Sequence, residues 1–144
     1  MIVPVTNENI SSAAYIHSEA WKQSHKDFCS AEFVAAHTPE RQRAYLEGEM
    51  EKGKALYMLI EGRAVGIVSV KDGLIENLYV LPSEQNKGHG SLLLDYAVKV
   101  CGGRRLWVLN INGGARRLYL RRGFREAGTI KPLSDTLWEV EMVL

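Results

Sequence analysis

The chain has 144 residues, 46% of them apolar and 24% charged, with a formal net charge of +1. That balance fits one folded domain over residues 1–144 and gives no support for nucleic acid or a membrane surface as partner. No apolar run nears the ~20 residues of a membrane span, the first residues lack a basic stretch before an apolar one, and Cys29 and Cys101 read as free thiols in a reducing compartment, so a cytoplasmic protein is expected.

Ile2 to Val5 reads as a short first strand. Thr6 or Asn7 can cap a helix to about Trp21, in which Ile10, Ala13, Ala14, Ala20 and Trp21 share a face with His17. Ser30 can cap a short helix through Val34 and Ala35. Thr38-Pro39 is a cap followed by proline in the first turn, and that helix is expected to reach Lys52 and stop at Gly53. The period then becomes that of strands. Ala55–Ile60, Ala64–Val70 and Leu74–Val80 form an antiparallel meander, with turns at Glu61-Gly62-Arg63 and Lys71-Asp72-Gly73. Pro82 ends the third strand.

Ser91 to Cys101 is a leucine-rich helix that Gly102-Gly103 terminates. Leu106–Leu109 is a short apolar strand. Strand, helix and strand with short connections make a βαβ unit, so this strand should lie parallel to Leu74–Val80. A helix from about Gly114 to Arg122 follows, with Gly123 past its end. Strands near Arg125–Ile130 and Thr136–Leu144 close the chain around a turn at Pro132-Leu133-Ser134-Asp135. The expected fold class is α+β: a mixed, mostly antiparallel central sheet with one parallel βαβ crossover, flanked by helices.

The most informative stretch is Gln85-Asn86-Lys87-Gly88-His89-Gly90, between the third meander strand and the helix at Ser91. Gly88 and Gly90 let the backbone turn tightly, leaving N–H groups unpaired at the positive end of the helix dipole. That arrangement suits phosphate oxygens. It is neither a three-glycine dinucleotide fingerprint nor a P-loop, which closes on Gly-Lys-Ser/Thr. An ordinary tight turn before a helix would carry the same residues. Cys and His do not cluster at metal-ligand spacing, so no metal is expected.

The run Leu78-Tyr79-Val80-Leu81-Pro82-Ser83-Glu84-Gln85-Asn86-Lys87-Gly88-His89-Gly90 resembles the acetyl-CoA-binding motif of the GCN5-related N-acetyltransferases (GNAT). Val80, Pro82, Gln85, Gly88 and Gly90 fit it. A second block, Asn112, Ala115, Tyr119 and Gly123-Phe124, resembles the family's downstream motif. The resemblance covers about residues 55 to 130, and the N-terminal helices carry no specific motif.

The resemblance implies acetyl-CoA as acetyl donor. The loop from Gln85 through Asn86, Lys87, Gly88 and His89 to Gly90 would hold the pyrophosphate. The backbone of Leu78, Tyr79 and Val80 would pair with the pantetheine arm, in a gap where this strand splays from Leu106–Leu109. Asn112 would contact the cofactor, although it can equally cap the helix that follows. Tyr119 resembles the family's general acid, which protonates the departing thiolate; a phenol with a pKa near 10 can do so. Glu76 is the candidate base. Strand alternation would place it on the face of Leu78 and Val80, and the alternatives are that it binds the acceptor's charge or is structural. Trp107 stands where other members place an acid on the next strand. Among Arg104, Arg105, Arg116, Arg117, Arg121 and Arg122, one or two would meet the 3′-phosphate of coenzyme A.

The expected activity is acetyl transfer to a primary amine within a ternary complex, without an acyl-enzyme. The alternatives are a non-catalytic acetyl-CoA sensor or interaction module on the same fold, and a nucleotide binder. The acceptor, a small molecule or a peptide amine, would lie against residues 14–43 and the final hairpin. Trp21, His25, Phe28 and Phe33 either line that pocket or, as favoured for most of them, belong to the core. A monomer and a homodimer both fit.

Overall fold

A computed structural model describes residues 1–144. Its strands are β1 (Ile2–Pro4), β2 (Ala55–Glu61), β3 (Arg63–Lys71), β4 (Leu74–Val80), β5 (Arg105–Leu109), β6 (Arg125–Pro132) and β7 (Trp138–Val143). Its helices are α1 (Ile10–His25), α2 (Ala31–Ala35), α3 (Pro39–Glu51), α4 (His89–Lys99) and α5 (Gly113–Arg121). One seven-stranded sheet runs in the order β1-β2-β3-β4-β5-β7-β6. Every neighbouring pair is antiparallel except β4 and β5, so the expected mixed sheet with a single parallel crossover is what forms.

Local chemistry sets the helix ends. Ser30 and Thr38 accept from the N–H groups of Phe33 and Arg41, and Pro39 opens α3 where its missing N–H costs nothing. Two extents differ from expectation. The first helix begins at Ile10, because Asn9 turns back to accept from the Thr6 N–H at 2.8 Å, and it runs a turn past Trp21 to His25. The helix after the glycine loop begins at His89 rather than Ser91, so His89 and Gly90 belong to its first turn. Gly88 precedes it with φ of 86°, a left-handed conformation that glycine adopts without strain.

Both sheet faces are covered. On one side α1 and α3 bury Ile10, Ala13, Ile16 and Leu46 against Met58 and Ile67. On the other, α4 and α5 bury Leu93, Leu94, Ala97 and Tyr119 against Val68, Ile75, Leu106 and Phe124. Each fully buried leucine contributes about 2 kcal/mol by leaving water. Gly103 lets the chain pass here, since a Cβ would stand 2.5 Å from Ile75 Cγ1.

The break between β4 and β5 positions everything that follows. Only Leu74 with Arg105 and Ile75 with Leu106 are paired; beyond Ile75 the strands part. β5 keeps its full ladder with β7 on its other edge, from Arg105–Val143 to Leu109–Glu139. β4 is therefore the strand that bends away. The cause is a bulge: Asn77 has φ of 53°, and the β3–β4 register slips between Ile67 and Ser69. A bulge adds twist and bend to the strand that carries it.

Candidate active site

The bulge also redirects side chains. Ser69 faces Glu76, Ile67 faces Tyr79, and Gly66 faces Val80. Tyr79 packs with the core under α1, whereas Ile75, Leu78 and Val80 pack with the core under α4 and α5. Glu76 thus lies on the α1 and α3 face, opposite Leu78 and Val80. This corrects the expectation from plain alternation, which one extra residue in the strand inverts.

A network fixes the bulge. The Lys54 ammonium is 3.0 Å from Glu76 Oε1, 3.2 Å from a Glu49 carboxylate oxygen, and donates to Asn77 Oδ1 at 3.3 Å. Ser69 Oγ lies 2.8 Å from Asn77 Oδ1 and 3.0 Å from the Glu76 carbonyl oxygen. Lys54 is only 7% exposed. Burial alone would lower its pKa, but the hydrogen bond to Glu76, the field of Tyr45 and Glu76 and the hydrogen bond to Glu49 outweigh burial, and the pKa is raised. The ammonium stays charged and holds one Glu76 oxygen.

The parting of β4 and β5 opens a cleft of about 770 Å³. Glu76, Leu78, Tyr79, Val80, Gln85, Asn112 and Tyr119 all line it, together with Trp107, the C-terminal turn of α1 and Glu139. Asn86, Lys87, Gly88, His89 and Gly90 do not; they continue past Gln85 at the end of β4. Gln85 staples that junction, donating from Nε2 to the Val80 carbonyl at 3.1 Å and to Gln23 Oε1 at 2.9 Å.

At the loop, no main-chain acceptor takes the N–H groups of Gly88, His89, Gly90 and Ser91. The Nδ1 of His89 is buried without a partner. A Cβ built on Gly88 would meet nothing within 4 Å, so the backbone at Gly88 is open to approach. Unpaired amides on a helix N-terminus with room before them fit a diphosphate. Lys87 is turned to Glu84 at 3.1 Å instead, and that ammonium holds the Glu84 carboxyl below the usual range.

Tyr119 reaches the cleft from α5. Asn112 starts this helix by accepting from the Ala115 N–H at 3.1 Å, which leaves its Nδ2 free on the cleft wall. Gly123, with φ of 95°, ends it. Tyr119 is 8% exposed, and burial pushes its pKa up to about 12. The phenol keeps its proton across the neutral range.

Several of the arginines are occupied within the chain. Arg116 pairs with Glu126, Arg122 lies 3.7 Å from Asp95, and Arg104 donates to the carbonyls of Val98 and Gly103. Of the four aromatic residues expected in a pocket or the core, His25 and Phe28 line the cleft, Trp21 lines a neighbouring cavity, and Phe33 in α2 is 49% exposed; none belongs to the core. No further layer covers the α1–α2 corner, so the rings cover one another. Trp21 stacks on both His25 at 3.9 Å and His37 at 3.4 Å.

Sequence reasoning missed Lys54 and Asn77. Lys54 looked like any lysine after a helix-ending glycine. The available signal was Glu76-Asn77, two adjacent polar residues that interrupt an apolar strand.

The splayed mixed sheet opens a cleft with Tyr119 on its wall, and a loop of unpaired amides stands at the N-terminus of α4. The model of the acetyltransferase (GNAT) family matches residues 14–124, and the chain belongs to that family of enzymes. No curated protein sequence matches the chain. Among solved structures it is similar to PaiA N-acetyltransferase from Thermoplasma acidophilum in complex with coenzyme A, at 18% identity and a TM-score of 0.74, covering 100% of this chain and 98% of that one. It is similar to YncA, a putative acetyltransferase from Salmonella typhimurium with its cofactor acetyl-CoA, at 18% identity and a TM-score of 0.72, over 100% and 92% of the two chains. Ribosomal-protein-alanine N-acetyltransferase from Brucella melitensis matches at 19% identity and a TM-score of 0.72, over 100% and 99%. At these identities the likeness establishes the fold.

Proposed function

We propose that the chain moves an acetyl group from acetyl-CoA to a primary amine by direct transfer in a ternary complex. The observation that carries this reading is the cleft where β4 leaves β5. It gathers an unpaired strand edge, a protonated phenol and a carboxylate, and Gln85 on its wall leads into the loop of free amides.

Each part has one task. The amides of Gly88 to Ser91, at the N-terminus of α4, hold the pyrophosphate of the donor. Gln85 fixes where that loop leaves β4, and Asn86, Lys87 and His89 shape its outer wall. The edge of Leu78, Tyr79 and Val80, without a strand partner toward β5, accepts the pantetheine arm as an added strand. The free Nδ2 of Asn112 contacts the same arm. A main-chain N–H of this edge polarises the thioester carbonyl.

The acceptor arrives as an ammonium and loses a proton to Glu76, directly or through a water. Lys54 acts as a positioning residue, fixing one Glu76 oxygen and leaving the other for the amine. The amine nitrogen bonds to the thioester carbon. The carbon–sulfur bond of the resulting tetrahedral intermediate breaks, and Tyr119 gives its proton to the thiolate. The second proton of the attacking nitrogen restores the phenol.

Replacing Tyr119 by Phe tests this reading. Removing the proton donor should lower kcat by about 100-fold, the low end of general-acid effects, with little change in acetyl-CoA affinity. Steady-state thiol release and calorimetry on the same preparation separate the two quantities. Unchanged kcat would remove Tyr119 from its role. Acetyl-CoA binding with no thiol release on any amine would make the protein a sensor.

A further inference from the structure

On the α1 and α3 side of the sheet lies a second cavity, of about 310 Å³. It shares two walls, Asn77 and Tyr79, with the cleft, so the spaces adjoin beside Glu76. The rings of Trp21, Tyr45 and Tyr79 form its apolar side.

Its polar side has unused hydrogen-bonding capacity. Gln42 is only 4% exposed, yet its side-chain amide has no partner in the chain and lines this cavity. The main-chain N–H of Arg41 is bonded to the Thr38 hydroxyl at 3.2 Å, while its guanidinium has no acidic partner. Both stand in the first turn of α3, whose dipole adds positive potential. His17 completes the wall. Its Nε2 faces the Asn77 amide nitrogen at 3.4 Å, and its Nδ1 is buried without a partner. The exposed Arg41 guanidinium and the Gln42 amide, neither with a partner in the chain, stand on one wall and offer donors to an anion with acceptor oxygens. Arg41 is the only Lys or Arg on the lining, which suits a planar carboxylate better than a dianionic phosphate.

We propose that this cavity takes the carboxylate of the acceptor, which makes the acceptor class an amine that also carries a carboxylate, such as a free amino acid. Arg41 and Gln42 bind the carboxylate, the rings pack on the carbon skeleton, and the amine points past Asn77 and Tyr79 to Glu76. The inference rests on the acetyl-transfer reading above.

Thiol release from acetyl-CoA should be measured with the twenty L-amino acids, β-alanine and γ-aminobutyrate, each against its carboxamide. At least one free acid should be turned over with kcat/KM at least about ten-fold above its amide. For that acid, Arg41→Gln should raise KM about ten-fold or more, leave the KM of acetyl-CoA unchanged and abolish the preference over the amide. Gln42→Leu should move the same preference in the same direction. Amides turned over as well as acids, or a preference that survives Arg41→Gln, would overturn the carboxylate assignment and leave acetyl transfer standing. No acetylation of any amine, acid or amide, would take both down.

Discussion

Burial alone raises the pKa of Tyr119, and burial also decides the state of His17. The His17 pKa is lowered to about 4 by burial first, then by His37, Lys54 and His25. The folded protein therefore keeps a neutral ring where the unfolded chain, near 6.5, takes up a proton. The unfolded state binds more protons between these values, so stability falls as pH drops from about 7 toward 4. The loss assignable to His17 between pH 7 and pH 5 is about 2 kcal/mol. Denaturant unfolding at both values should show it, and His17→Gln should lose correspondingly less. An equal loss in protein and variant would contradict the neutral buried ring. Lys54 makes the second residue-scale prediction. Lys54→Met leaves the partly exposed Glu49 and Glu76 without their cation and should cost about 1 kcal/mol in stability. It should also lower kcat without raising the KM of acetyl-CoA. Lys54→Arg should restore part of kcat, whereas a packing role alone would leave kcat insensitive to the charge.

At the scale of elements, β4 is the part that matters. Its bulge does two things at once: it opens the cleft toward β5 and turns Glu76 to the face of α1 and α3. Asn77 holds it in a left-handed conformation. Asn77→Val places a β-branched residue there, at a cost of about 2 kcal/mol beyond the lost hydrogen bonds. Asn77→Gly keeps the conformation and loses only the hydrogen bonds. Chemical unfolding should rank them wild type, Gly, Val. Equal stability of the two variants would mean the bulge does not depend on that backbone angle. The strand itself was legible, because Leu74 to Val80 is apolar and bounded by Gly73 and Pro82. Its bulge was not. Alternation assumes a regular pleat, and what stabilises the irregularity is a lysine 23 residues away in the chain. Similarly, the helix after the glycine loop was legible from its leucines, but its start at His89 depends on a dihedral angle that composition does not carry.

Over the whole molecule, the local order of elements carried most of the fold. Strand runs, capping pairs and Gly-ended helices stand close together in sequence, and the βαβ unit fixed the one parallel pair. The two motifs at Val80–Gly90 and Asn112–Phe124 carried the family. What the sequence did not show is long-range. β7 inserts between β5 and β6, Lys54 reaches Glu76 and Asn77, and Arg41 with Gln42 meets Tyr79 across a cavity. Each joins residues with no shared local pattern. The aromatic residues at the α1–α2 corner show the same limit. Their composition suggests a core, but Trp21 and His25 are half-buried in a stack with the buried His37, while Phe28 and Phe33 are exposed.

The central claim is that the end of β4 and the start of α4 together grip a coenzyme A diphosphate and present its thioester to Tyr119. Isothermal titration of the purified chain with acetyl-CoA and, separately, with ATP tests it most directly. Saturable heat is expected with acetyl-CoA, and binding to ATP at least about ten-fold weaker. ATP binding as tight as acetyl-CoA binding, or no heat with acetyl-CoA, would contradict it.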